Sequence, residues 1–371
     1  MAFGFGSYFR WFLGIKTREK GRIGLKKIGY LILYTWVKLG MFAYYRSRKI
    51  HGLENIPKNG PLLFLGNHQN ALLDSLQLVL HGVRQPYFLA RSDVFANALL
   101  KRFLTFIRML PIYRIRDGVQ SLQANAAIFQ KCADLLGRGE AMAMFPEGNH
   151  SLKRRVRPLS KGFTRIVFKF KEDHLESDVY LQPFGVNYQK AGSFPDRTSL
   201  YFGQPVSVDG IMAKYENNIM VVNELKSKVH QELTGLTTHI DSTEYERILA
   251  QLQMGKVDFT QPEKVNALWP TLTEGQAVKT PLKKSVSFQK VILIIWNFLS
   301  VLPWRLYLKP KVKELEFLDT MRFGYALVVH SFLYLLCFGV LLTTMGPELA
   351  FALPSAHFLV NLVLVKTFSV R

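Results

Sequence analysis

Short apolar runs separated by polar, helix-like stretches dominate the chain between residues 51 and 210. The six predicted strands are PLLFLGN, PYFLA, MLPIYRI, AMAMFPE, VYLQPFGVNY and SLYFGQPVSV. Helical patterns lie between several of them, notably LLDSLQLVLHG and SLQANAAIFQKCADLLGRG, the second of which ends in glycine as helices often do. Alternation of strands and helices predicts an α/β fold, in which helices cover the faces of a sheet.

An apolar and aromatic stretch with basic flanks, KKIGYLILYTWVKLGMFAYY, occupies residues 26–45. Lys38 interrupts it, and a charge near the middle of a bilayer is costly, so we expect an interfacial helix that lies in the headgroup region. An amphipathic helix packed on the protein core is the alternative. Residues 1–25 lack the long apolar core and small-residue cleavage site of a signal peptide.

Three apolar segments follow near the end of the chain. Residues 323–345 are long enough to span a bilayer, 349–365 are at the short end, and 291–302 are too short for an untilted span. Because lysine and arginine prefer the cytoplasmic side, the basic flanks of 291–302 predict a segment that dips in or lies flat. The last two segments then form a membrane hairpin, and the α/β domain is expected to face the cytosol. These flanks contain Lys283, Lys284, Lys290, Arg305, Lys309, Lys311, Lys313 and Arg322.

The pattern divides the chain into four parts. Residues 1–50 are predicted to form membrane-associated helices, 51–210 the α/β domain, 211–282 a polar helical extension with a linker, and 283–371 the membrane segments. His330, inside the first spanning segment, is expected to be a packed or hydrogen-bonded side chain rather than a metal ligand.

The composition of the chain limits the kinds of molecule that it is expected to bind. Nearly half of the 371 residues are apolar, which excludes global disorder, and the formal net charge of +21 favours polyanions. The apolar segments favour an anionic lipid surface over nucleic acid. Cys132 and Cys337 lie far apart, and Cys337 sits in an apolar run, so a reducing compartment is expected.

Polar groups cluster just after predicted strand ends, where ligand sites of α/β sheets gather. His68 and Asp74 are candidates for a general base and the carboxylate that orients it. Six residues on a regular helix leave two side chains about 120° apart, so His68 must lie in the loop before the helix and Asp74 in its first turns. In the alternative interpretation Asn70 caps the helix and His68 is incidental.

Two further clusters have a chemistry suited to phosphate and hydroxyl groups. Glu147 can accept hydrogen bonds from hydroxyl groups and Gly148 allows close backbone approach, although a tight turn with an exposed Glu147 is the alternative. Arg114 and Arg116 follow a strand, and guanidinium groups bind phosphate in bidentate fashion.

Residues 152–171 contain eight cations and no acid. We expect most of them to contact anionic headgroups, with Lys161, beside Gly162 at a helix start, as the best phosphate ligand. The eight are Lys153, Arg154, Arg155, Arg157, Lys161, Arg165, Lys169 and Lys171.

The motifs NHQNALLD, PIYRIRD, FPEGNHS and LQPFGVNY, in this order and spacing, resemble those of the glycerolipid acyltransferases, which include lysophosphatidate and glycerol-3-phosphate acyltransferases. The resemblance covers residues 51–210. It implies a mixed sheet flanked by helices and acyl transfer from a thioester to a glycerol hydroxyl. His68 would be the base and Asp74 its orienting carboxylate. The implied substrate ligands are Arg114 for the phosphate, Glu147, Gly148 and Ser151 for the glycerol phosphate, and Pro183 near the acyl path.

One departure changes the expected acceptor. The usual family pattern has four residues between His and Asp, and here there are five, QNALL. This spacing, together with VKELEFLDTMRFG before the hairpin, resembles the fungal-type glycerol-3-phosphate and dihydroxyacetone-phosphate acyltransferases. It favours glycerol 3-phosphate as the acceptor and puts the geometry of the His–Asp pair in question.

The resulting hypothesis is a membrane-bound O-acyltransferase of phospholipid biosynthesis, in a bacterial inner membrane or an ER-like membrane. The donor would be acyl-CoA or acyl carrier protein, and no metal or redox cofactor is expected. The acceptor would be glycerol 3-phosphate or 1-acylglycerol 3-phosphate. Alternatives are acylation of another lysolipid, such as one based on an amino acid, and a non-catalytic basic module that binds membrane or nucleic acid.

Overall fold

The computed structural model describes residues 25–81, 83–113, 119–272 and 288–369. Within them, eight strands form one sheet: β1 (Ser47–His51), β2 (Leu62–Gly66), β3 (Tyr87–Arg91), β4 (Met109–Ile112), β5 (Ala141–Met144), β6 (Tyr180–Tyr188), β7 (Arg197–Phe202) and β8 (Val206–Ser207). The predicted Arg114 and Arg116, the signal-peptide question at residues 1–24 and the linker residues 273–287 lie outside the described residues.

Helices supply the rest of the framework. They are α1 (Leu25–Tyr44), α2 (Ala71–His81), α3 (Ala98–Phe106), α4 (Val119–Gly137), α5 (Gly162–Asp173), α6 (Val208–Met212), α7 (Asn218–Leu236), α8 (Tyr245–Met254), α9 (Pro262–Leu268), α10 (Phe288–Trp296), α11 (Phe298–Pro303), α12 (Leu318–Thr344) and α13 (Pro347–Thr367).

The sheet is mixed, as the sequence predicted. Its order is β1-β7-β6-β2-β5-β3-β4, with β8 beside β6. Neighbours joined through helical crossovers are parallel, from β6 through β2, β5 and β3 to β4, whereas β6 is antiparallel to β7 and β8. The carboxyl ends of β2 and β5 therefore meet at one edge of the sheet, where the polar motifs follow.

Both faces of the sheet are covered. All five residues of β2 are buried, as expected of a central parallel strand. Leu63 and Leu65 point to a core that includes residues of α4, α5 and α7. Phe64 on the opposite face packs in a core with residues of α1, α2 and the start of α12. The site residues at the end of β2 are thus held between two packed layers.

Strand β1 was not predicted. Its sequence, SRKIH, is short and basic, and it pairs in parallel with β7, some 150 positions away, at the edge of the sheet. An edge strand needs little apolar alternation, so nothing local in these residues indicates a strand. The run SLYFGQPVSV forms two strands, β7 and β8, because residues 203–205 lie between them.

Helix α1 packs on the core, which was the alternative to an interfacial helix. Met41 and Tyr44 are buried in the core and Tyr34 and Val37 pack against it, whereas five of its apolar side chains are solvent-exposed. The exposed apolar side chains of α1 are Leu25, Ile28, Ile32, Leu39 and Phe42.

Helices α12 and α13 pack together as a hairpin, and each is long and apolar enough to cross a membrane. Phe338 and Phe351 contact each other with ring centroids 4.9 Å apart. The pair α10 and α11, extended to Lys311, bends by 92°, which fits a segment that dips in rather than a straight span. His330 is hydrogen-bonded as predicted, with Nδ1 3.0 Å from the Ala326 carbonyl.

Two glycines provide a matched test of the packing between β6 and α7. A Cβ at Gly185 would overlap the backbone carbonyl of Leu236, whereas one at Gly235, inside α7, would meet nothing within 4 Å. We expect Gly185→Ala to lower the free energy of unfolding by about 1–3 kcal/mol. Gly235→Ala should raise it by about 0.5–1 kcal/mol. Thermal unfolding of the detergent-solubilised chain measures both, and equal midpoints for the two variants would contradict this packing.

Candidate active site

His68 and Asp74 meet where β2 gives way to α2. Nδ1 of His68 lies 2.8 Å from Oδ2 of Asp74. The hydrogen bond leaves Nε2 as the ring nitrogen that can take a proton, since a carboxylate accepts from Nδ1–H. The side chain of His68 is 17% exposed and that of Asp74 is 0% exposed, so the imidazole reaches solvent and the carboxylate does not.

The Asp74 carboxylate is surrounded by donors. Oδ2 also accepts the backbone N–H groups of Gln69, at 2.9 Å, and Asn70, at 2.8 Å. Oδ1 accepts the Tyr188 hydroxyl of β6 at 2.7 Å. Burial raises the pKa of Tyr188 well above its ordinary value, so this phenol stays a donor. Four donors fix the carboxylate, and it in turn orients the imidazole.

The five-residue spacing does not prevent the pairing. Ala71, the first residue of α2, has φ 43°, a left-handed conformation that accommodates the turn between His68 and the helix. Asn70 does not cap the helix with its side chain. Its Nδ2 donates instead to Oδ2 of Asp319, 2.8 Å away at the start of α12.

Aromatic rings hold the imidazole from two sides. His68 stacks on Phe145, with centroids 4.0 Å apart and planes within 6°. His150 meets His68 edge-on at 5.5 Å, and the backbone N–H of Ser151 donates to the His68 carbonyl at 3.0 Å. The FPEGNHS motif therefore packs directly against the NHQNALLD motif.

Glu147 is buried rather than exposed. Its side chain is 3% exposed, and Arg157 Nε donates to its Oε2 at 2.7 Å. Burial raises the pKa of Glu147, and the hydrogen bond from Arg157 opposes this effect. Gly148 has φ 75° and forms the tight turn that brings Glu147 inward, so the motif is a turn and Glu147 is nevertheless internal.

A small, open cleft lies at this edge of the sheet. Three predicted residues line it: His68, Glu147 and Ser151. The predicted Lys161 is exposed at the N-cap of α5, and Pro183 is buried inside β6 beside Leu65. The cleft residues that the sequence analysis did not single out as ligands are Asn67, Gln69, Lys153, Arg155, Val156, Thr237 and Thr238.

Five of the eight cations in the basic run 152–171 are bonded within the protein, and the expectation of headgroup contact was wrong for Arg154 and Lys171, which are buried. Arg154 donates to the carbonyls of Tyr188 and Gln189 and covers the Phe259 ring at 4.0 Å. Four of its cationic neighbours pair with acids, and Lys171 is the one of these four that is buried. These neighbours are Arg155, Arg157, Lys169 and Lys171.

Asp196, in the turn between β6 and β7, is a buried carboxyl that gives a test of the electrostatics of the fold. Asp196 is 1% exposed and accepts the Lys190 N–H. Burial raises its pKa to about 7. The folded protein therefore binds this proton more tightly than the unfolded chain does, and the stabilisation is lost as pH rises from about 4 through 7.

Asp196→Asn keeps the acceptor for Lys190 and removes the charge. We expect the unfolding free energy of the variant to exceed that of wild type by about 1–2 kcal/mol near pH 5 and by about 4 kcal/mol near pH 8. Thermal unfolding at the two pH values measures the difference. A gap between the two proteins that does not change with pH would refute the assignment.

The site lies in a segment of the chain that is similar to known acyltransferases. The sequence model described as Acyltransferase matches residues 47–187. The 1-acyl-sn-glycerol-3-phosphate acyltransferase BAT2, chloroplastic, of Brassica napus is 26% identical over 146 residues, 39% of this chain and 40% of its own. Glycerol-3-phosphate O-acyltransferase 1 of Saccharomyces cerevisiae is 24% identical over 37% of this chain and 18% of its own.

The chain thus spans about 40% or less of the length of these relatives. A crystal structure of the 1-acyl-sn-glycerophosphate acyltransferase PlsC from Thermotoga maritima aligns with 64% of this chain and 90% of its own, at 17% identity and a TM-score of 0.44. The matched segment contains His68, Asp74, Glu147 and Ser151, which the structure brings together. Residues 47–187 of the chain are therefore similar to the acyltransferase family, and this segment holds the site.

Proposed function

We propose that the protein transfers a fatty acyl group from an acyl thioester to a hydroxyl of glycerol 3-phosphate, or of 1-acylglycerol 3-phosphate. The observation that carries the proposal is the His68–Asp74–Tyr188 chain of hydrogen bonds, which leaves Nε2 of His68 as the base at the edge of the cleft. Both relatives are named for acyl transfer to a phosphorylated glycerol, which supports this class of acceptor.

The reaction follows from the chemistry of the pair. Nε2 of His68 takes the proton of the acceptor hydroxyl, whose oxygen attacks the thioester carbonyl. The imidazolium that forms is stabilised by Asp74. When the tetrahedral intermediate collapses, the C–S bond breaks, the ester C–O bond remains, and the thiolate receives the proton from His68. Cations at the cleft stabilise the oxyanion or hold the acceptor phosphate.

Two cations at the cleft are the proposed phosphate ligands. Lys153 is exposed, and Arg155 lies at the rim with its guanidinium shared between the carbonyls of Ile240 and Ser242. We also propose the phosphate role of Arg114 and Arg116 from their motif. The roles of Glu147 and Ser151 as ligands of the glycerol rest on their place in the cleft.

Glycerol 3-phosphate is the acceptor we propose first. The five-residue spacing and the sequence before the hairpin support it, because both resemble the fungal-type subgroup. Acyl-CoA and acyl carrier protein both suit a basic protein as donors. The apolar helices α12 and α13 support a membrane location, and the basic residues between α11 and α12 support a cytosolic active site.

Replacement of His68 tests the proposal directly. We expect His68→Ala to lower the rate of acyl transfer by roughly 10²–10⁴-fold, since the hydroxyl loses its base. Purified full-length protein in vesicles would be given labelled acyl-CoA or acyl carrier protein with glycerol 3-phosphate, lysophosphatidate or an amino-acid lysolipid. His51→Ala is the matched control, because His51 stacks on Tyr201 at the far edge of the sheet. Transfer by His68→Ala at the wild-type rate would exclude the mechanism, and His68-dependent transfer only to the amino-acid lysolipid would exclude the proposed acceptors.

The tyrosine behind the carboxylate gives a graded test. Tyr188→Phe removes one of the four donors to Asp74 and leaves the other three, so we expect kcat to fall by about 3- to 10-fold. Tyr201→Phe is the control, because that hydroxyl donates to the Thr260 carbonyl away from the cleft. Steady-state kinetics should separate the two variants, and an equal loss in both would argue against a role for Tyr188 in the relay.

A further inference from the structure

The base of the membrane hairpin reaches the catalytic loop. We call residues 314–322 the juxtamembrane segment: it contains the short turn Leu315–Phe317 and the first residues of α12. Both this turn and α12 contact α2, which carries Asp74. The contacts are polar and specific, and they reach both motifs of the site.

Asp319 is the centre of these contacts. It is 2% exposed, and its Oδ2 accepts Nδ2 of Asn70 at 2.8 Å and the N–H of Gly192 at 2.6 Å. Its Oδ1 pairs with Arg322, whose Nε donates to the Tyr44 hydroxyl of α1 at 2.8 Å. One buried carboxylate therefore joins the catalytic loop, the turn after β6, α12 and α1.

Asn70 is held at both ends. Its side chain is bonded to Asp319, and its backbone N–H donates to Oδ2 of Asp74, the oxygen that also accepts from His68. The next residue is Ala71, whose left-handed φ persists only where the surroundings determine it. The loop geometry at His68 thus depends on a residue of the membrane helix.

A second contact reaches the same site from the other motif. Oε2 of Glu314 lies 3.0 Å from Nε2 of His150, and the Phe317 ring meets the His150 ring edge-on at 4.7 Å. His150 in turn lies edge-on to His68. The juxtamembrane segment therefore contacts His150, which flanks the imidazole, and Asn70, which donates to the carboxylate that orients it.

We propose that Asp319 is a positioning residue for the proposed acyl transfer, acting through Asn70 on the loop that carries His68. Helix α12 is apolar beyond Arg322, so Asp319 sits where the helix would leave the bilayer. The link fixes the base at the level of the headgroups, where an acceptor phosphate and a lipid-borne acyl chain can meet. The inference rests on the proposed function, and its structural part can be measured without substrate.

Asp319→Asn tests the link, because the amide keeps the shape but offers a single acceptor oxygen to three donors. We expect amide hydrogen exchange in residues 66–74 to accelerate by about tenfold or more as local opening becomes easier. We expect kcat to fall by about tenfold or more with KM nearly unchanged, because positioning acts on the transition state. Glu316→Gln makes the same charge change in the same segment, where the described residues show no hydrogen bond or ion pair for Glu316, and should leave both readouts unchanged.

A double variant that swaps the two side chains distinguishes loss of this contact from general misfolding. Asn70→Asp alone places two buried carboxylates face to face and should abolish the loop order. The double variant Asn70→Asp/Asp319→Asn restores a donor and an acceptor across the same contact. Relative to Asn70→Asp, its amide hydrogen exchange in residues 66–74 should be at least about tenfold slower and its kcat at least about tenfold higher.

The inference would be overturned if Asp319→Asn showed the same amide exchange rates and the same kcat as wild type. It would also be overturned if the double variant exchanged as fast and turned over as slowly as Asn70→Asp. The proposed function fails separately if the wild-type protein acylates no acceptor while the exchange results still hold.

Discussion

A carboxylate that is removed from water and surrounded by four donors is the constraint on which the site depends. Asp74 can be buried because two loop N–H groups, an imidazole and a phenol replace its hydration. The phenol comes from β6, so β6 must lie next to β2, and the Asn67 side chain secures this by bonding both the N–H and the carbonyl of Val186. The strand order of the sheet is thus tied to the chemistry of one side chain, and a fold that separated β2 from β6 would remove one of the four donors to Asp74.

Part of the positive charge of the chain is bonded to carbonyl groups inside the protein. Arg154 is buried, and carbonyls of β6 and of the residue after it accept from its guanidinium, while Phe259 of the helical extension covers the guanidinium face. Burial lowers its pKa to about 10, so it still carries charge at neutral pH. The extension is therefore part of the site and not an appendage: α7 closes one face of the sheet, and Thr237 and Thr238 just beyond it line the cleft. Cations that remain at the cleft, such as Lys153, are few enough to be directed at one anion.

Local patterns predicted the elements but not their distant partners. The strands, the flanking helices, the hairpin and the His68–Asp74 pair follow from periodicity and from spacing within a few residues. Tyr188, which lies 114 positions from Asp74, and Asp319, which lies 249 positions from Asn70, leave no trace in the segments they contact. The basic run was misjudged for the same reason, because a list of arginines does not reveal which carbonyls will accept from them. Strand β1 was not predicted because it forms through its pairing with β7, and its own composition does not indicate a strand.

The contact between Asn70 and Asp319 accounts for the strained residue in the longer loop between His68 and Asp74. An alanine in the left-handed region costs about 1–2 kcal/mol, and a loop under such strain relaxes unless other contacts hold it. Asn70 is the residue immediately before the strained one, and its amide is anchored to a carboxylate that is itself fixed by Gly192 and Arg322. A buried hydrogen bond to a charged group contributes about 1.5–3 kcal/mol, enough to offset the strain. The hydrogen bond from Asn70 to Asp319 therefore offsets the strain in the longer loop, and it ties the base of the hairpin to the loop that carries His68.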